Sequence, residues 1–237
     1  MSNISNLFKS PFANIGLFAI PLVICIVAMN VFFPKESPDN YSSFITAFEF
    51  VKTPENVTTL FSLLEPTEDA TADSLSVAEK IAGLNIGNYI DFFFMVIYTL
   101  FLFLFFKKAA PHYNLKWLKF GMPLAILALL SDIGENVFLI KIANAYPSTV
   151  EMSDNLSVLP FFVWTKWLAL AIVCALGAIA FLLGKKLITK LLAFVLIIPI
   201  ILGIMALLTQ SDLMIDGFTV SIFVSIGILV LSCFWLE

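Results

Sequence analysis

The sequence predicts an all-α fold: a polytopic integral-membrane bundle of about six transmembrane helices, with amphipathic helices in one long outer loop. Three observations carry that prediction. The chain is 60% hydrophobic and only 13% charged, with a mean hydropathy of +1.00, whereas soluble domains are roughly half apolar and about a quarter charged. Six apolar runs reach the roughly 20 residues that a helix needs to cross hydrocarbon. The lysines collect in particular breaks between those runs, as topology demands of a membrane protein.

The runs lie at about 12–33, 88–106, 118–140, 159–183, 188–209 and 217–236, within a single transmembrane domain covering 1–237. The first, "PFANIGLFAIPLVICIVAMNVFF", is too long for the apolar core of a signal peptide and is followed by no A-x-A-like site, so it is read as an uncleaved span. Lys107, Lys108, Lys116 and Lys119 separate spans two and three; Lys185, Lys186 and Lys190 separate spans four and five; Lys9 precedes span one. The positive-inside rule therefore places these loops and both termini in the cytoplasm. Trp117 and Trp235 then fall at inner span ends, with Tyr89, Tyr146, Trp164 and Trp167 near outer ones. The Lys-, Ile-, Phe- and Asn-rich usage without Arg points to a bacterial inner membrane.

Residues 34–87 form the one long connection, an acidic extracytoplasmic loop or cap. Within "YSSFITAFEFVKTPENVTTLFSLLEP", Phe44, Ile45, Phe48, Val51, Val57, Leu60, Phe61 and Leu64 recur at helical spacing. Thr53 and Pro54 suit the N-cap and first turn of a second short helix. Two amphipathic helices are expected here, on the outer membrane surface or capping the bundle. Residues 66–73, "PTEDATAD", are expected to be flexible. Asn56 and Asn155 begin N-x-[ST] sequons, which matter only in a glycosylating source.

Composition excludes much chemistry. The net charge is −4 and every basic residue is Lys, so no Arg fork is present for phosphate and no basic cluster suits nucleic acid. Cys25, Cys174 and Cys233 lie in apolar segments, which leaves no disulfide framework or Cys-rich metal motif. His112 is the sole histidine, so multi-histidine metal centres and bis-histidine haem cannot be built. No P-loop, G-x-S-x-G or Cys–His pair occurs. No internal repeat supports an inverted-repeat transporter. No cofactor is predicted.

What remains is a set of ionisable side chains inside the spans. Span three reads "LLSDIGENVFLIK". Asp132, Glu135 and Asn136 stand at i, i+3 and i+4, on one helix face. At 1.5 Å per residue, Glu135 and Asn136 lie ~8 Å inward of Lys141, and Asp132 lies ~13 Å inward. Span two reads "NYIDFFFMVIY". Asp91 and Tyr98 are seven apart and share a face, ~5 Å and ~15 Å inward of Asn88. Span four reads "PFFVWTKWLAL", with Lys166 ~9 Å inward of Pro160. The three spans thus place the six side chains at matching depth, in the outer half of the bilayer.

A lone carboxylate near the bilayer centre costs ~2.5–3.5 kcal/mol on insertion scales, so these groups are expected to meet. Lys166 can neutralise one of the three acids. The surplus must be protonated, hydrated or matched by something positive.

The loop "FEFVKTPENVTTLF", then "YIDFFFMVIY", "LLSDIGENVFL" and "TKW" resemble a family of small bacterial polytopic membrane proteins. The likeness covers about residues 44–170 and rests on the D-x6-Y element (Asp91, Tyr98), the D-x-x-E-N element (Asp132, Glu135, Asn136) and the K-W pair. That family brings no known activity, so the resemblance implies a fold and no chemistry.

The expected function is a polar pocket in the outer half of the bilayer, lined by Asp91, Asp132, Glu135, Asn136 and Lys166 above Tyr98, binding or transporting a proton, a cation or a polar lipid headgroup. A hard metal cation would use Asp91, Asp132 and Glu135. Two alternatives stay open. One is a membrane enzyme acting on a lipid, with Asp132 or Glu135 as general acid/base. The other is an accessory subunit whose polar network only braces helices. Partners are the bilayer, with a second copy or another membrane protein as further candidates.

Overall fold

A computed structural model describes residues 10–65 and 75–236. The segment 66–73, Lys9 and the acids Glu68, Asp69 and Asp73 lie outside the described residues. Hydrocarbon offers backbone groups no hydrogen-bond partners, so each crossing segment must satisfy its own. The chain obeys this as an all-α bundle, in which six of the described helices are long and apolar enough to cross a membrane: Ala13–Phe32, Val77–His112, Lys116–Ala145, Thr149–Leu182, Leu187–Thr209 and Asp212–Ser232. It is a multi-pass membrane protein. Span one is interrupted at Leu17 and Phe18, and span three opens with a 3-10 segment, Lys116–Phe120.

Three helices outrun their apolar cores. Span two begins at Val77, where Ser76 and Glu79 form a reciprocal capping box, so 77–87 is helix and not loop. Span four begins at Thr149, ten residues before its apolar run, and span six at Asp212. These turns lengthen the bundle on the side that carries the Phe44–Glu49 and Pro54–Ser62 helices.

Consecutive spans pack side by side, and span six returns against span four and against the Ala13–Gly16 end of span one, where Gly16 meets Phe234 and Cys233, while touching the Ala19–Phe32 part of span one only lightly. Span four is the most enclosed; spans one and five are mostly exposed. The approach of spans three and four depends on Gly134, since a Cβ there would collide with the Phe162 ring. Phe162 stacks on Phe138, one turn along, at 5.5 Å between centroids. This seam sets Glu135 opposite Lys166.

The two expected outer helices form at Phe44–Glu49 and Pro54–Ser62. Ser43 and Thr53 cap them by accepting from the Thr46 and Asn56 amides, and Pro54 takes the first turn. They cap the bundle: Phe44, Phe48, Phe61 and Leu64 are fully buried, and Phe61 packs on Tyr146 at 5.1 Å. The cap is tied to span six, where Tyr41 donates to Asp212 at 3.0 Å and the Ser42 amide and hydroxyl donate to Asp216 at 2.8 Å.

Candidate functional site

The polar faces of spans two, three and four converge. Lys166 Nζ lies 2.6 Å from Glu135 Oε1 and 3.4 Å from Asp132 Oδ1. Tyr98 donates to Asp132 Oδ2 at 2.7 Å. Asn136 donates to Asp91 Oδ2 at 2.8 Å and to the Asn88 carbonyl at 3.3 Å. The six residues expected from the sequence fall into two bonded sets, Lys166–Glu135–Asp132–Tyr98 and Asn136–Asp91, and Asp91, Tyr98, Asp132 and Lys166 line one cavity. Glu135 is 0% exposed and Lys166 5%. Lys166 is thus held inside the bundle and does not reach the headgroups, and Asp91, half-buried, is secured by Asn136.

Two members escape a reading of the spans alone. Glu49, from the first cap helix, dips into the group with Oε2 at 3.4 Å from Lys166 Nζ, and is only 9% exposed. Trp167 donates from Nε1 to the same oxygen at 2.9 Å, and its ring sits 4.4 Å from the Lys166 ammonium. Glu49 counts as one more loop acid in the sequence, yet it stands four residues after Ile45, on the apolar face of its helix. Trp167 fits an interfacial belt by position; the structure corrects this, because it is buried against Phe218 and Phe223.

The group holds four carboxylates and one ammonium. Burial pushes the Glu49 carboxyl above its usual range, and Asp132 adds to this, against the opposing pull of Lys166 and the Trp167 N–H. Glu135 Oε2 has no hydrogen-bond partner. The expected metal set of Asp91, Asp132 and Glu135 is not assembled: Asp91 is turned to Asn136, and Lys166 occupies the space between the other carboxylates. Among the described residues, no cluster of three or more His, Cys, Asp or Glu is arranged to hold a metal ion.

One side of the group opens into a cavity of ≈ 250 Å³ between spans one, two, four and six. Glu49, Asp91, Tyr98, Asp132, Lys166 and Trp167 form its polar end. The remaining wall is apolar, with Leu22 and Ile26 of span one facing Ile226 and Val230 of span six. Gly227 also lines it, and a Cβ there would meet nothing within 4 Å. Val23 and Leu231 at its edge are 56% and 53% exposed, so it opens sideways where the Ala19–Phe32 part of span one meets span six only lightly. Inward of Tyr98, span two buries Phe101, Phe105 and Phe106. Among the described residues, the buried charges are those of the group itself. No family model, curated protein or solved structure matches the chain.

Proposed function

We propose that this protein is a membrane binding protein that seats a polar-headed, lipid-like molecule in the cavity, its head on the buried polar group and its tail between spans one and six. The observation that carries this is the cavity's polarity gradient, from charged residues at one end to aliphatic walls at the other. Specific small-molecule sites combine an apolar lining with a few convergent polar groups in this way. The sideways opening faces the phase in which such a molecule dissolves. The phenylalanines inward of Tyr98 offer no continuation for an ion, which favours binding over ion translocation.

The setting we propose is a bacterial inner membrane with both termini in the cytoplasm. The lysines of the 107–119 and 185–190 breaks support it, with the acidic cap on the opposite face. The cluster then lies toward the outer side, and the cap covers it from outside.

Gly227→Leu tests this reading without touching the polar group, because the new side chain projects into empty space. Native mass spectrometry of gently purified wild type is expected to show a lipid-sized adduct that Gly227→Leu lacks while remaining folded. An adduct of equal occupancy in both proteins, or none in either, would remove the cavity as a binding site and leave the polar group as a brace between helices.

A further inference from the structure

Resting on that reading of the cavity, we infer that its ligand carries an ammonium group on an apolar tail. Ionised carboxylates only accept, and an ammonium only donates. Lys166, the one cation, donates to Glu135 at 2.6 Å and stands 3.4 Å from both Asp132 and Glu49, so its charge is shared among three carboxyl groups of the protein. Tyr98 gives its hydroxyl hydrogen to Asp132, and Trp167 gives its indole hydrogen to Glu49. The phenol of Tyr98, the indole of Trp167 and the ammonium of Lys166 are thereby each directed at a carboxyl group of the protein itself.

The acceptors are not all engaged in this way. Asp91 lines the cavity and takes its side-chain hydrogen bond at Oδ2 alone, from Asn136. An anionic head would add negative charge beside four carboxyl groups that share one ammonium. A head that brings its own hydrogens and a positive charge meets an open carboxylate and reduces the surplus of acid over base.

The walls nearest that end fit the same chemistry. Phe94 and Tyr98 meet edge-on at 5.6 Å between centroids, as do Trp167 and Phe223, and all four line the cavity. Aromatic rings beside a carboxylate are the recurrent surroundings of bound ammonium groups, because the ring faces are electron-rich. The aliphatic stretch between spans one and six then takes the tail.

Three probes with the same tail and different heads test the inference: decylammonium, decanol and decanoate, titrated by calorimetry into the full-length protein in maltoside micelles at neutral pH. Wild type is expected to bind decylammonium about tenfold more tightly than decanol, the ratio that one charge-assisted contact supplies, and to give no measurable heat with decanoate. Asp91→Asn, which keeps the oxygen that accepts from Asn136, is expected to lose that preference, with decylammonium weakened about tenfold to the level of decanol. Decanol or decanoate binding as tightly as decylammonium, or an Asp91→Asn protein that keeps the full preference, would overturn the ammonium assignment and leave the cavity standing. If none of the three binds, the cavity reading falls with it.

Discussion

The seam between spans three and four and the gap between spans one and six each turn on a glycine, with opposite outcomes. At Gly134 the space beside the backbone is filled by Phe162, and the two helices close tightly enough for Lys166 to reach Glu135. At Gly227 the space is empty and belongs to a cavity. The polar group lies between these two regions and faces both. On the seam side its charges hold helices together; on the gap side they are offered to something else. A small residue in a span therefore says only that bulk is absent. The neighbour decides whether that absence becomes a contact or a binding volume.

The largest effect should come from breaking the seam at its charge. Lys166→Met leaves Glu135, Asp132 and Glu49 without their cation and is expected to cost ~3–5 kcal/mol, read as a lowered thermal midpoint in detergent. Pairing it with Glu135→Gln should restore part of the loss, since the most deeply buried carboxylate is then removed too. A Lys166→Met protein as stable as wild type would mean that the ammonium braces nothing.

The two glycines sharpen the comparison directly. Gly134→Ala should destabilise by ~1–3 kcal/mol, because its methyl group drives into the Phe162 ring. Gly227→Ala should be neutral or stabilising by up to ~1 kcal/mol, since it gains helix preference and meets no neighbour. Equal effects at both sites would erase the distinction between seam and gap.

Glu49 gives a smaller, pH-dependent effect. Its folded-state carboxyl titrates above the unfolded value, mainly because it is buried. Its contribution to stability is therefore fully present below the unfolded pKa, about 4.3, and is lost as pH rises through the folded one. Glu49→Gln should flatten that part of the stability profile, measured as thermal midpoint against pH. An unchanged profile would place the Glu49 carboxylate in water instead.

The smallest change is expected at Lys80 and Glu36, a partly exposed ion pair at 2.6 Å. Burial raises the Glu36 carboxyl, but the hydrogen bond and charge of Lys80 together with backbone N–H groups outweigh this, and the net shift is downward. The pair contributes above the unfolded pKa and fades as pH falls through the folded one. Both side chains are partly exposed, so Glu36→Gln should cost at most ~1 kcal/mol, less in high salt.

Much of this architecture was legible in the sequence. Hydropathy found six spans, because crossing segments must be apolar whatever they pack against. Thr53 and Pro54 marked a cap helix, because capping is local chemistry. The spacing of Asp132, Glu135 and Asn136, with Asp91 and Lys166 at matching depth, pointed to one cluster, because a lone buried charge is too costly to persist. Other features were not legible, for physical reasons. The helical turns 77–87 and 149–158 are interrupted by Glu79, Lys80 and Asn85 and by Glu151, Asp154 and Asn155, so a hydropathy window stops short of them. Glu49 lies 117 residues in sequence from Lys166 (166 − 49), and nothing local announces that pairing. The cavity arises from the mismatch of side chains on spans one and six, far apart in the chain, and no periodicity encodes a void.

The most direct test of the central claim is a structure of the protein in lipid, from a lipidic mesophase or a nanodisc, at a resolution that shows an ordered small molecule. The account predicts elongated density beside Gly227, its compact end within hydrogen-bonding distance of Asp91 and its tail between spans one and six. A cavity closed by inward movement of span one or six, with the Lys166 group intact, would contradict it.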